Sequence, residues 1–212
     1  MRNSVSSKLF LILIICVGFL SPGLCQPKGY VPREGPFTTV IFDSSFVKAL
    51  YRGSFDISKT HLSGLFLIKR TEVNSIRIVF SNEFGMKFFD FEFRGDAFVV
   101  HYCFPSFERR SLMKLLERDF RFLMVPDNTV KSMKREHSKD PESLVFMVKS
   151  ARGSFHYTYD LNSGRIRRIR TSGSVMGKTD LHLSGDEHFY PARITLSNPA
   201  IRLHIKMTFL SN

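Results

Sequence analysis

The stretch from Leu62 to Cys103, LSGLFLIKRTEVNSIRIVFSNEFGMKFFDFEFRGDAFVVHYC, limits the chain more than any other part of it. Its four apolar runs are rich in Val, Ile and Phe and are broken at Glu72-Val73-Asn74, at Asn82 to Gly85 and at Gly95-Asp96. Such runs and breaks predict an antiparallel meander of four strands. In the first run Leu65 and Leu67 alternate with Gly64, Phe66 and Ile68. In the third, Phe89, Phe91 and Phe93 share one side, and Met86, Phe88, Asp90 and Glu92 share the other. Apolar side chains thus point to both faces, although an antiparallel sheet with a wet face keeps that face polar. The pattern predicts cover on both sides, one from the chain's own helices and the other over a cavity.

The remaining chain is short enough to limit what that cover can be. With 212 residues, 43% hydrophobic and 24% charged, it suits one globular domain and excludes a disordered or multi-pass membrane protein. Phe outnumbers Tyr by 22 to 6 and Trp is absent, which favours an apolar interior or pocket because a phenyl ring needs no hydrogen-bond partner. The formal charge is +12, and Arg2 and Lys8 are the only charges in the first 25 residues, so the body is itself basic. A basic body attracts the phosphates of nucleic acid and of anionic lipid alike.

Residues 1–25 decide between those two. A basic start, an unbroken apolar run from Leu9 to Leu20 and the sequence Ser21-Pro22-Gly23-Leu24-Cys25 form an export signal, the run being too short to span a membrane. Two processing readings stand together: Cys25 is acylated as in a bacterial lipoprotein, or cleavage after it leaves Gln26 as the new terminus. Either way Cys103 has no intramolecular partner and reads as a small buried hydrophobe. The sharper reading, a thiol nucleophile served by His101 on the same strand face, has no motif behind it. Residues 26–42, with Pro27, Gly29, Pro32, Gly35 and Pro36, form a tether or entry segment.

Residues 43–212 read as a single β domain. Asp43 to Tyr51 predicts a short helix. From Ser106 to Met124, Leu112, Leu115, Leu116, Phe120 and Leu123 recur at helical spacing, with Pro126 as the stop. Residues 126–142 read as a basic loop or lid. From Ser143 onward SLVFMVKS, GSFHYTYD, GRIRRIRTS, TDLHLS, ARITLS and AIRLHIKMTF return to the short period of strands. About ten to eleven strands overload a flat sheet, so a mainly β, curved antiparallel sheet or open half-barrel is expected, with one or two helices on its concave side.

Chemistry is sparse. There is no Gly-rich phosphate loop, zinc spacing or nucleophile elbow, so no catalytic residue, metal or cofactor is expected. Asp90 and Glu92 share a strand face and suit acid–base work less well than an ion-paired edge. Asp180 with His182, and Asp186-Glu187-His188, are too few for a metal site. Period two puts Arg165, Arg167 and Ile169 on one face and Ile166, Arg168 and Arg170 on the other, which reads as a charged strand edge. Without interleaved aromatics, and in an exported chain, it is no nucleic-acid groove.

One resemblance adds to this. Leu62-Ser63-Gly64-Leu65-Phe66, then Ile76-Arg77-Ile78, then Ser81-Asn82-Glu83-Phe84-Gly85, resembles the start of the sheet in the outer-membrane lipoprotein receptor LolB and its LolA-type carrier relatives. The resemblance implies a curved sheet that encloses a lipid-binding cavity closed by helices. The setting it implies is the bacterial envelope, at the outer membrane facing the periplasm or soluble in the periplasm. In the receptor, the loop matching Asn82–Gly85 carries a protruding apolar residue used in membrane insertion, and Phe84 takes that place. A turn aromatic of this kind either protrudes so or folds back onto its strands. Phe66, Ile68, Ile78, Phe80, Phe89, Phe91, Val99 and Leu116 are the candidates to line or close the cavity, and each alone reads equally well as core. The expected partners are acyl chains or lipoproteins and a membrane surface met through a lipid anchor and basic residues, the protein itself being a monomer. The competing reading is a structural outer-membrane lipoprotein that docks to an envelope assembly and holds no lipid.

Overall fold

Alternating burial marks the strands. In the computed structural model, which describes residues 41–42, 45–124, 130–172, 177–185 and 190–211, they are β1 (Lys48–Ile57), β2 (Thr60–Glu72), β3 (Ser75–Ser81), β4 (Lys87–Arg94), β5 (Ala97–Cys103), β6 (Val130–Glu136), β7 (Ser143–Ser150), β8 (Gly153–Asp160), β9 (Ile166–Ser172), β10 (Asp180–Ser184), β11 (Arg193–Asn198) and β12 (Leu203–Ser211). One α-helix, α1 (Arg110–Met124), lies between β5 and β6. The leader, Cys25, the tether through residue 40, Pro126 and Asp186-Glu187-His188 lie outside the described residues.

The strands form one antiparallel sheet in the order β5-β4-β3-β2-β1-β12-β11-β10-β9-β8-β7-β6. Each strand pairs with its sequence neighbour except where β1 meets β12 and joins the two halves. The meander over β2–β5 and the strands β7–β12 fall where the hydrophobic period predicts them. Two further strands bring the number to twelve. Lys48–Ile57 is a strand and not the expected helix: the four- and five-residue spacings of Phe46, Leu50 and Tyr51 mimic a helical face, but Ala49, Tyr51 and Phe55 are the buried ones and the segment is hydrogen-bonded on both sides. The basic segment 126–142 contains β6 where a loop was expected. Val130 and Met133 pack against the core while Lys131, Lys134 and Arg135 face solvent.

Side chains on the inner face line up across the sheet. Tyr51, Phe66, Phe80, Phe89 and Cys103 form one cross-strand row, and Ala49, Ile68, Ile78, Phe91 and Val100 form the next. On the other half Phe146, Tyr157, Ile169, Leu181, Leu196 and Ile205 continue across to Phe55. Helix α1 proves the curvature. Its Phe120 ring lies 5.7 Å from Phe89 on β4, and its Phe122 ring lies 4.5 Å from Phe155 on β8. Those strands are eight spacings apart in the sheet order, about 38 Å if the sheet were flat. A helix about 10 Å across touches both only if the sheet wraps around it. Topology demands the same route, because β5 and β6 are the two edges and the chain between them must cross the open side.

Curling brings backbones close at the middle of the sheet. Gly53 and Gly64 stand opposite each other on β1 and β2. A Cβ on Gly53 would sit 2.0 Å from the Lys206 carbonyl oxygen, and one on Gly64 would sit 2.0 Å from that of Ser81, so only glycine fits either place.

The outer face corrects the expectation of apolar cover on both sides. There Leu65 and Leu67 are only half-buried, and Asp90 and Glu92 are buried by polar partners, not by a second layer. Two bulges also shift faces. An irregularity at Thr158/Tyr159 sets Tyr159 opposite Ile166 and Thr158 opposite Arg168. Ile166 and Ile169 can then both be buried, while Arg167 pairs with Asp160 and Arg168 with Asp180. Strand β9 lies inside the sheet, between β8 and β10, so the expected charged edge is an interior strand whose outer surface is charged. The second bulge, at Asp90/Phe91, turns His101 outward to Glu92 while Cys103 stands opposite Phe89 on the inner face. Those two side chains are not on the same face.

Candidate functional site

The concave face and the α-helix that covers it among the described residues form the candidate site. Leu112, Leu115, Leu116, Phe120 and Leu123 on α1 are buried, at the helical spacing that aims them at the sheet. From Asp119 to Met124 every side chain is buried, charged ones included, so this half of the helix is enclosed on all sides. Beside this apolar packing, polar contacts fasten it. Arg121 donates from Nη1 to the Gly95 carbonyl at 2.9 Å and from Nη2 to the Asp96 carbonyl at 3.1 Å, and its guanidinium lies 5.3 Å from the Phe93 ring centroid. On the other flank Thr179 Oγ1 donates to Asp119 Oδ2 at 2.9 Å, Asn198 Nδ2 donates to Thr179 Oγ1 at 3.2 Å, and Arg118 Nε donates to Asp119 Oδ1 at 2.7 Å. Burial pushes the Asp119 carboxyl up from its ordinary range against those donors. An ion pair from Arg152 on the β7–β8 turn to Asp96 on the β4–β5 turn bridges the two wings of the sheet. The helix is therefore fastened to both wings by buried polar groups that satisfy one another beside the apolar face.

Seven of the eight predicted lining residues meet under this cover. Phe66, Phe80 and Phe89 share one row, Ile68, Ile78 and Phe91 the next, and Leu116 reaches them from α1; all seven are wholly buried. Their rings touch: Phe66 and Phe80 stack at 4.1 Å and Phe89 and Phe91 at 4.6 Å. Val99 is the exception. It stands opposite Glu92, on the outer face and away from the others.

At the β3–β4 turn, Phe84 is 97% exposed and Met86 beside it is 49% exposed. Of the two sequence readings for Phe84, the structure has the protruding one. Asn82 holds it out: its Oδ1 accepts from the backbone N–H of Phe84 at 3.0 Å and of Met86 at 2.8 Å, its N–H donates to the Met86 carbonyl, and its carbonyl accepts from Gly85. Gly85 adopts φ +84°, which glycine alone takes without strain.

The residues considered for chemistry are structural. Burial opposes ionisation of Glu92, but hydrogen bonds from Thr71, Arg94, His101 and Ser75 outweigh it and hold the carboxyl well below the carboxylate range. Asp90 is likewise held low against burial, by Arg77 at 2.6 Å and Lys87 at 3.1 Å. Neither carboxylate reaches the concave face. Cys103 is buried with its thiol pushed up to about 11, first by burial and then by Glu108, the reverse of what a nucleophile needs. Asp180 is taken by Arg168, and no cluster among the described residues has the donors for a metal ion. No helix among them is long and apolar enough to cross a membrane. Sequence reasoning missed the latches Arg121, Asp119 and Thr179. The only hint was two charges, Asp119 and Arg121, beside and within the apolar run Phe120–Met124.

An open antiparallel half-barrel, polar outside and apolar within, closed by one helix strung between its edges, is the class this geometry defines. It is the LolA/LolB-like fold. Among solved structures the chain is similar to a LolA-superfamily protein from Nitrosomonas europaea, at TM-score 0.57 and 9% identity, over 81% of this chain and 87% of that one. It also matches a DUF1329 family protein from Desulfovibrio piger at TM-score 0.47 and 9% identity, over 78% and 85% of the two chains. No protein-family model matches the sequence, and no curated protein does.

Proposed function

We propose that this is a non-enzymatic lipid- or lipoprotein-binding protein of the bacterial cell envelope, which holds acyl chains on its concave face beneath α1 and meets the membrane through Phe84. The observation that carries the reading is the cover: an apolar face closed by a helix that belongs to no strand ladder and is fastened to the two wings by side-chain hydrogen bonds, so that it can move off the face without unpairing a strand. Acyl burial is favourable by about 0.8 kcal/mol per methylene and specifies little about the chain. The LolA-like fold supports the reading, as does an export leader ending at Cys25, acylated or removed. Phe84 is placed to enter a bilayer at small cost to the fold, because nothing in the fold rests on it.

Lipid extraction and mass spectrometry of the protein purified from membranes test the reading, and the intact mass reports whether Cys25 is acylated. A bound acyl lipid in near-equimolar amount is the expected result. In vesicle flotation with phosphatidylglycerol–phosphatidylcholine vesicles, Phe84→Ser should lower association about tenfold, the value of one buried phenyl ring, without moving the thermal midpoint. The direct ring contacts among Phe66, Phe80, Phe89 and Phe91 favour the second reading, an envelope lipoprotein that docks to an assembly and holds no lipid. Protein that yields no lipid and takes none up supports that one.

A further inference from the structure

On the outer face of β1 to β3, three cross-strand rows lie side by side. Lys48, Lys69 and Arg77 stand opposite one another in the first, Leu50, Leu67 and Val79 in the second, and Arg52, Leu65 and Ser81 in the third. Neighbours within a row are about 5 Å apart. The four apolar side chains are half-buried, and none of them packs against the buried core of the described residues. Setting Lys48 directly opposite Lys69 costs stability, and among the described residues neither lysine has an acid to offset it. The acids on this side are taken: Asp90 by Arg77 and Lys87, Glu92 by Arg94 and His101. The face is thus an apolar stripe between cations, with two unanswered lysines along one border. Its ends carry exposed apolar turns. At one end Val73 is 86% exposed. Arg70 donates to the Val73 carbonyl at 2.9 Å and to the Phe46 carbonyl at 3.0 Å, which brings the exposed Val47 and Lys48 to the same rim. At the other end of β3 stands Phe84, on a turn whose Glu83 meets Arg52 of the third row at 3.9 Å.

We propose that this face is where the domain lies on an anionic bilayer, with lipid phosphates against Lys48 and Lys69, the Leu50–Leu67–Val79 row at headgroup level, and Val73 and Phe84 entering at the two ends of β3. The proposal rests on the reading that Phe84 meets a membrane, and adds to it an orientation and a lipid class. An anionic surface answers the lysines that the fold itself leaves opposed. An acidic protein would answer them too, but it has no use for exposed apolar turns at both ends of the stripe. The route of the chain favours the bilayer as well. It enters the sheet at the Val47 rim, with sixteen residues of sequence between Cys25 and Phe42, so an anchor at Cys25 is joined to the domain beside the lysines.

The chain has no Trp, so Leu67→Trp installs a single fluorescent reporter in the stripe, and Thr195→Trp, half-buried on the outer face of β11, serves as the control on the other half of the sheet. Phosphatidylglycerol–phosphatidylcholine vesicles added to the full-length protein should shift Leu67→Trp emission to the blue and open it to quenching by brominated lipids, while Thr195→Trp emits as in solution. Adding Lys48→Glu and Lys69→Glu to Leu67→Trp should raise the lipid concentration for half the shift at least about tenfold. Lys48→Glu by itself puts a carboxylate opposite Lys69, so it should raise the thermal midpoint while weakening the shift, a pair of signs that damage to the fold cannot produce. Equal shifts at the two reporters, or none at Leu67→Trp in protein that floats with the vesicles, overturn this face and leave the Phe84 contact standing. A Leu67→Trp shift that the lysine changes do not move overturns it too. Protein that does not float at all removes the membrane reading along with the face and leaves the two lysines to an acidic partner.

Discussion

Glu92 carries four hydrogen-bonding partners on the outer face and is 2% exposed. A carboxyl held lower in the folded than in the unfolded chain contributes stability above its unfolded value, near pH 4, and that contribution is lost as pH falls toward the folded value. Glu92→Gln should therefore cost about 2 kcal/mol at pH 7 and much less at pH 3, which urea midpoints at the two pH values measure. Cys103 makes the opposite statement. With its thiol pushed up to about 11, about a thousandth is thiolate at pH 8. Iodoacetamide should label it at least about fiftyfold more slowly in the native than in the urea-unfolded protein, as followed by mass spectrometry of the Cys103 peptide.

Among the elements, β1 and β2 take the bend of the whole sheet where Gly53 faces Gly64. Gly64→Ala puts a methyl group into the Ser81 carbonyl and should cost about 3 kcal/mol, near the top of the range for overpacking, visible as a lower thermal midpoint. Helix α1 is unlike the strands in that its apolar stripe faces one layer while its fastenings, Arg121 to the β4–β5 turn and Asp119 to Thr179, run sideways to the two wings. A strand leaves its sheet only by breaking a ladder. This helix has no ladder to break; its buried stripe and its side-chain hydrogen bonds to the two wings hold it.

At the scale of the molecule, an open sheet has two edges, and β5 and β6 are protected differently. Strand β6 relies on the exposed Lys131, Lys134 and Arg135, the usual defence of an unpaired ladder. Replacing the three with threonine should leave the sheet folded but raise self-association, which light scattering against concentration would detect. Strand β5 instead exposes Val100 at 45%, opposite Phe91, and Tyr102 at 39%, opposite Asp90. The charged surface and the apolar interior are thus properties of one curved layer: Arg167 and Arg168 outside with Ile166 and Ile169 inside on β9, Asp90 and Glu92 outside with Phe89, Phe91 and Phe93 inside on β4.

Periodicity alone determined most of this architecture. The alternation in β2 to β5 and β7 to β12, the turn residues between them and the helical spacing from Leu112 to Leu123 are local, and local sterics and burial enforce them wherever the chain sits. The tertiary structure decided what depends on a partner far along the chain. The spacing over Asp43–Tyr51 suits a helix, yet its last four residues begin the strand Lys48–Ile57 because β2 and β12 offer ladders on both sides. The basic segment at 130–136 becomes an edge because β7 needs a neighbour. Bulges at Asp90/Phe91 and Thr158/Tyr159 reassign His101, Ile166 and Arg167 to faces that strict alternation denies them. Where Arg121 and Arg152 found their acceptors depended on the curling, because hydrogen bonds between residues 25 to 56 positions apart exist only after the two wings have met around the helix.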